Sequence, residues 1–222
     1  MNIEELRRRA AVHASLSDPV RLAAVDLLAV GDAAPSELQA LLGLPSNLLA
    51  HHLRVLEQAG VVQRSRSEGD RRRTYLRLVP RALDRLGPVP ARTAPRVVFV
   101  CTHNSARSQL AAALWRRRSE VPVASAGTHP AERVHPGAVA AARRHGIPLR
   151  RARPVQFDTV AGDGDLVVAV CDNVHEEMPR STPRLHWSVP DPARAGTDEA
   201  FDRTIDELTE RIDRIAPHIR SA

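Results

Sequence analysis

The stretch Arg96-Val97-Val98-Phe99-Val100-Cys101-Thr102-His103-Asn104-Ser105-Ala106-Arg107-Ser108-Gln109-Leu110 decides the fold of the larger half of this chain. Val97 to Val100 form an unbroken apolar run, the pattern of a strand buried on both faces of a parallel sheet. The run ends on a cysteine. A small polar loop follows, and Ser108 opens a segment rich in Ala, Leu and Trp that predicts a helix. In such a strand–loop–helix turn the backbone N–H groups from Thr102 through His103, Asn104, Ser105, Ala106 and Arg107 to Ser108 face inward. The helix N-terminus adds positive potential, and the Arg107 side chain closes the ring. A nest of this kind binds a tetrahedral oxyanion and favours the thiolate form of Cys101, with Ser108 placed to donate to the same sulfur. The Cys–Arg spacing is weak alone: with two cysteines and 32 arginines in 222 residues, chance supplies it about 0.3 times per chain. The strand before it and the helix after it give it weight. A buried strand-end cysteine without chemistry is the alternative.

Working outward, a second β-branched run, Leu166-Val167-Val168-Ala169-Val170, leads into Cys171. Strands alternating with longer helical segments predict an α/β unit with a central parallel sheet over residues 96–222. Upstream, Gly87-Pro88-Val89-Pro90-Ala91-Arg92-Thr93-Ala94-Pro95 places three prolines in nine residues. That composition predicts an extended spacer at 88–95, dividing the α/β unit from a mostly helical unit at 1–87.

Composition excludes several classes. Cys101 and Cys171 are the only cysteines, too few and too far apart for a disulfide-stapled secreted scaffold. The N-terminus lacks a signal-peptide core, and no apolar run approaches the ~18 residues of a membrane span. The expectation is a cytoplasmic protein with reduced thiols and no membrane partner. All 32 basic residues are arginine and the net charge is +6, which admits an anionic partner without naming one.

In the first half, Asp18-Pro19 reads as an N-cap followed by proline at the first helical position, opening a helix from Val20 to Val30. A second helix begins near Pro35-Ser36-Glu37 and ends at Gly43. Ser46 is expected to cap a third, running to Ala59-Gly60. Two short helices around a tight turn make a helix-turn-helix. On the third helix Leu49, Leu53 and Leu56 share one face, while Asn47, Ala50 or His51, Arg54 and Gln58 share the other, a polar stripe suited to base edges and phosphates. The strand-like runs Val61–Arg64 and Thr74–Leu78 flank Ser67-Glu68-Gly69-Asp70-Arg71-Arg72-Arg73. A hairpin tipped by Arg71, Arg72 and Arg73 is a wing for phosphate or the minor groove. Candidate DNA contacts are therefore Ser46, Asn47, His51, Arg54 and Arg71 to Arg73; protein association is the alternative use of such a unit.

Residues Pro19 to Leu78 resemble the winged-helix repressors of the ArsR/SmtB family, through Asp18-Pro19-Val20-Arg21-Leu22, His52-Leu53-Arg54-Val55-Leu56 and Ala59-Gly60-Val61-Val62. The resemblance implies a homodimer, formed through this unit, on palindromic operator DNA. It departs from the metal sensors of that family. Ser36 to Leu42 holds no thiol, the last helix expected at Arg81–Leu86 holds no histidine, and adjacent His51 and His52 diverge on their helix. No metal site and no bound cofactor are expected.

Residues 96–222 resemble the low-molecular-weight tyrosine phosphatases and the arsenate reductases built on the same fold. The likeness adds Ser125-Ala126-Gly127-Thr128-His129-Pro130, Cys171-Asp172-Asn173 and His186-Trp187-Ser188-Val189-Pro190-Asp191-Pro192 to the opening stretch. It implies Cys101 as nucleophile, Arg107 as ligand of the equatorial oxygens, Asn104 as the residue that shapes the loop, and Asp191 as general acid. A plain Asp-Pro turn is the other reading of Asp191. Arsenate and phosphate-type oxyanions fit the cradle equally. Two features favour arsenate: Ala193 stands where the phosphatases carry an aromatic residue, and Cys171 offers a second thiol for reduction. Thioredoxin-coupled reductases carry a third cysteine seven positions on, where this chain has Met178. The reading is a transcriptional regulator joined to an arsenate reductase. It needs an external thiol reductant, either a thioredoxin-like protein or a low-molecular-weight thiol. Cys171 is either redox-active or a core cysteine. A phosphatase, or a regulator with a catalytically silent oxyanion pocket, are the alternatives.

Overall fold

A computed structural model describes residues 3–83, 92–149 and 152–221. The chain separates into two compact units, Met1–Pro90 and Ala91–Ala222. The first is a mostly helical winged helix-turn-helix, the second an α/β unit on a parallel sheet.

The N-terminal unit runs α1 (Ile3–Leu16), α2 (Pro19–Val30), α3 (Pro35–Leu42), α4 (Ser46–Gln58), β1 (Val62–Arg66) and β2 (Thr74–Leu78). Asp18 caps α2, its carboxylate accepting the amides of Val20 (2.9 Å) and Arg21 (3.0 Å). Glu37 reaches back to the Ala34 amide at 2.7 Å to start α3, and Gly43 ends it with φ 64, a left-handed turn that only glycine enters without strain. Ser46 does not cap α4. It is the first helical residue, and Pro45 holds the cap position without a side-chain bond because its own extended backbone turns the chain into the helix. Leu49, Leu53 and Leu56 are buried, with Leu28, Leu38 and Leu76 in the same core. Ala33 bridges to Leu76, extending the β1–β2 hairpin by a third short segment.

Two differences from the sequence reading appear here. Helix α1 was not anticipated, because Val12 and Ser15 are the only buried positions among its described side chains and it lacks a wide apolar stripe. At the far end, Pro80–Ala82 is a single 3₁₀ turn that stops at Leu83, so the helix expected at Arg81–Leu86 does not continue there; residues 84–86 lie outside the described residues.

The second unit contains β3 (Arg92–Ala94), β4 (Val97–Cys101), α5 (Arg107–Trp115), β5 (Val123–Gly127), α6 (Pro136–Arg144), β6 (Leu166–Ala169), α7 (Asp172–Glu177), β7 (Leu185–His186), α8 (Pro192–Ala195), α9 (Asp198–Ile215) and β8 (Ile219–Ser221). Four strands form a parallel sheet in the order β5-β4-β6-β7. Every residue of β4 and of α5 is buried, which explains the absence of polar alternation in the sequence. Phe99 packs between Trp115 (centroids 5.9 Å) and Trp187 (5.7 Å). Arg92–Ala94, read from sequence as the end of the spacer, pairs in parallel with β8. Arg92, Thr93 and Ala94, just before Pro95, keep their amides, so a short ladder remains open to them. Residues 84–91 lie outside the described residues.

The chain leaves β4 toward β5 on one side and later returns to β6 on the other. The carboxyl ends of β4 and β6 therefore flank a topological switch point, where open α/β sheets bind ligands. Cys101 ends β4 and Cys171 follows β6 at that seam.

Candidate functional site

The loop from Thr102 to Ala106 is held from outside by its carbonyls. Thr102 O accepts the His129 amide (2.8 Å), His103 O the Ala131 amide (2.9 Å) and Ser105 O the His135 amide (2.8 Å). In a trans peptide the C=O and the following N–H point in opposite directions. Carbonyls turned out toward 129–135 therefore turn the amides of His103, Asn104 and Ala106 inward. Gly127 permits the approach: a Cβ there would sit 2.7 Å from Thr102 O and 2.9 Å from Asn104 N.

Asn104 takes a left-handed backbone with φ 47, and its side chain makes three bonds that compensate. Its amide donates to Ser108 Oγ at 2.8 Å, and its oxygen accepts from Gln109 Nε2 at 3.1 Å and from the Val155 amide at 2.9 Å. Cys101 Sγ lies 3.0 Å from Ser108 Oγ, and both residues are buried. Helix α5 begins at Arg107, one residue before the expected Ser108. The Arg107 guanidinium is buried; Nη1 donates to Val189 O at 2.8 Å, and Nη2 lies 3.2 Å from Asp191 Oδ2. Asp191 also caps α8 through the Ala193 amide at 3.1 Å. The Asp-Pro turn and the site carboxylate are thus one group.

Cys171 is fully buried, and its Sγ lies 3.7 Å from Thr102 Oγ1. Burial pushes its thiol up to about 11, against the opposing pull of Arg107. The segment after it is pinned. Asp172 pairs with His186 at 3.0 Å inside the core, and His175 stacks on His186 at 4.0 Å. Arg184 donates to the carbonyls of Pro179, Thr182 and Met178 at 2.9, 2.9 and 3.2 Å. At the end of α7, Glu177 accepts from Thr128 Oγ1 at 3.1 Å and pairs with His129 at 2.6 Å. The sequence reading missed Gln109, Glu177 and Arg184. Gln109 and Glu177 reach residues more than forty positions away, so no local pattern marks them, whereas Arg184 binds carbonyls within nine residues of itself, in a loop without periodicity. Gly127 was visible only as part of a quoted motif.

In the N-terminal unit Ser46, Asn47, Ala50, His51, Arg54 and Gln58 lie exposed on α4. His52 is buried, its Nδ1 3.6 Å from Asp18 Oδ1. Arg71, Arg72 and Arg73 are all exposed at the hairpin tip. Asp70, within that tip, pairs with Arg72, and sequence reading gave it no role. No group of three His, Cys, Asp or Glu side chains among the described residues is arranged to hold a metal ion. No described helix is long and apolar enough to cross a membrane.

The sequence profile of the family described as low molecular weight phosphotyrosine protein phosphatase matches residues 96–222, and that of a helix-turn-helix domain matches residues 16–64. Residues of the second unit are similar to the arsenate reductase of Bacillus licheniformis, 37% identical over 132 residues, covering 54% of this chain and 94% of that protein. The arsenate reductase of Bacillus subtilis strain 168 is 36% identical over 132 residues, with the same coverage. Among solved structures, the tyrosine phosphatase Wzb from Escherichia coli K30 in complex with sulphate shares the fold at a TM-score of 0.50 and 24% identity. That match covers 56% of this chain and 97% of Wzb.

Proposed function

Since the chain belongs to the low molecular weight phosphotyrosine protein phosphatase family, we propose that it is an operator-binding regulator whose second unit reduces arsenate. The observation that carries this reading is the inward-facing amide loop with Cys101 at its base and the Arg107–Asp191 pair beside it. The Cys101 thiolate attacks arsenic while Arg107 and the loop amides hold the remaining oxygens. The displaced hydroxyl leaves as water with the proton that Asp191 supplies. A second thiolate then attacks the Cys101 sulfur, the S–As bond breaks, its electron pair stays on arsenic as arsenite, and a disulfide forms.

Arsenate is favoured over an aryl phosphate ester by Ala193, which offers no ring wall, and by the relatives named arsenate reductase. The second thiol is an external reductant. A Cys171 thiol near 11 is ionised to about one part in 10⁴ at pH 7, and the pinned segment beyond it presents no third cysteine. A low-molecular-weight thiol entering the cradle therefore suits the site better than a thioredoxin-like protein. The N-terminal unit binds DNA as a homodimer, with Ser46, Asn47, His51 and Arg54 of α4 in the major groove and Arg71 to Arg73 on phosphates. This assignment is supported by their common exposure and by the helix-turn-helix match.

Arsenite release from the purified chain, arsenate and a panel of thiols tests the enzymatic half. Reduction that survives Cys171→Ser supports the external donor. Brisk aryl phosphate hydrolysis with no arsenite from any thiol overturns the reductase reading in favour of a phosphatase.

A further inference from the structure

Asp70 occupies the tip of the β1–β2 hairpin among three arginines. Its carboxylate accepts three bonds from one residue: the Arg72 amide at 3.0 Å, Arg72 Nε at 3.0 Å and Arg72 Nη2 at 3.2 Å. Arg73 Nε stands 4.0 Å away. The turn itself aims the carboxylate, independently of the guanidinium. Ser67 Oγ accepts the amides of Gly69 (3.0 Å) and Asp70 (3.1 Å), and Asp70 O accepts the Arg73 amide at 2.8 Å. The Arg72 side chain is otherwise 91% exposed. Its bonds to Asp70 hold the carboxyl below the usual range, so the acid stays charged at neutral pH.

The Nε–Nη2 edge of a guanidinium is an edge that takes two phosphate oxygens side by side. Asp70 fills it with two carboxylate oxygens. We propose that Asp70 is a built-in competitor for the DNA phosphate that Arg72 takes, and so acts as a brake on the sequence-independent part of DNA affinity. The proposal rests on the DNA-binding reading above. A phosphate contact at Arg72 then exchanges one anionic partner for another, and the residual Asp70 charge repels the backbone. Arg72 consequently contributes less counterion release than an arginine without an acid beside it. Base contacts from α4 are unaffected.

The test uses the full chain and two duplexes of equal length, one from the region upstream of its own coding sequence and one scrambled, titrated across a salt series by fluorescence anisotropy. Asp70→Asn tightens both duplexes by about 3-fold per protomer and steepens the slope of log affinity against log salt by up to about 0.9 per protomer. Asp70→Ser, which keeps a side-chain oxygen for the Arg72 amide without the charge, does the same. In an Arg72→Ala background neither substitution steepens the slope. Unchanged affinity and slope in both Asp70 variants overturn the proposal. So does equal tightening with and without Arg72, which reports net charge alone. A wild-type chain that binds neither duplex overturns the DNA-binding reading, and this proposal with it; failure of the variants alone leaves that reading standing.

Discussion

The cradle loop and the wing turn are built from similar sequence and stabilised in opposite ways. Each is a short polar stretch that leads into arginine, and each pairs an arginine with an aspartate. In the cradle the pair is Arg107–Asp191, joining residues distant in sequence, with the guanidinium buried. In the wing it is Asp70–Arg72, two residues apart and open to water. The cradle loop is braced by three carbonyl bonds to residues 129–135 and by Asn104 to Val155, whereas the wing turn is braced from within by Ser67. A loop held by distant chain is preorganised for a small rigid anion. A loop that holds itself can shift its side chains to follow a duplex without disturbing a core.

The contrast breaks most sharply at Cys101. Cys101→Ser is expected to lower arsenite formation by about 10⁴-fold or more while leaving the thermal unfolding midpoint close to wild type, whereas no single wing substitution changes turnover at all. Steady-state arsenite assays on both sets of variants decide this; a wing variant that slows turnover breaks the separation.

A smaller effect follows from Cys171, whose thiol rises from 9.0 to about 11 in the folded chain. The native state keeps this proton after the unfolded chain has lost it. Its share of stability is therefore intact below about pH 9 and is lost as pH climbs to about 11, by up to roughly 3 kcal/mol. Urea unfolding across that window, compared with Cys171→Ala, should show a steeper downward slope in the wild type. Parallel curves would remove the case for a strongly desolvated thiol.

Next comes Gly127→Ala. The new methyl collides with backbone atoms of Thr102 and Asn104, so we expect about 1–3 kcal/mol of destabilisation and weaker oxyanion inhibition. Calorimetry, with phosphate as a competitor in the arsenite assay, measures both. The smallest effect is Arg71→Ala in the wing. It should flatten the salt slope of DNA binding by about 0.9 per protomer and leave the unfolding midpoint unchanged; a lowered midpoint would mean that the wing carries structural weight after all.

The parts of the site legible in the sequence are those whose partners are near in chain order. The strand–loop–helix signal from Val97 to Leu110 predicted a buried strand, a polar loop and a helix, and the fold contains that strand and that helix, the latter buried along its whole length. The hairpin tip was likewise readable, since its strands and turn are consecutive. Asp18 as a cap was readable, and Ser46 was not, because a preceding proline can open a helix without a side-chain acceptor. Helix α1 escaped notice because a helix with two buried positions among its described side chains leaves almost no periodicity to detect.

From residue types and spacing alone come the two units, the cysteine at a strand end, the arginine that follows its loop and the basic hairpin. Each of these leaves its mark in residue types and order along a continuous stretch of chain. Only folding brings Asp191 onto Arg107, lays Gly127 against the loop so that its amides turn inward, and sinks Cys171 where its thiol resists ionisation. Those features arise where parallel strands and returning loops converge at the carboxyl edge of the sheet. Burial and long-range pairing set their chemistry there, and neither has a signature in local sequence.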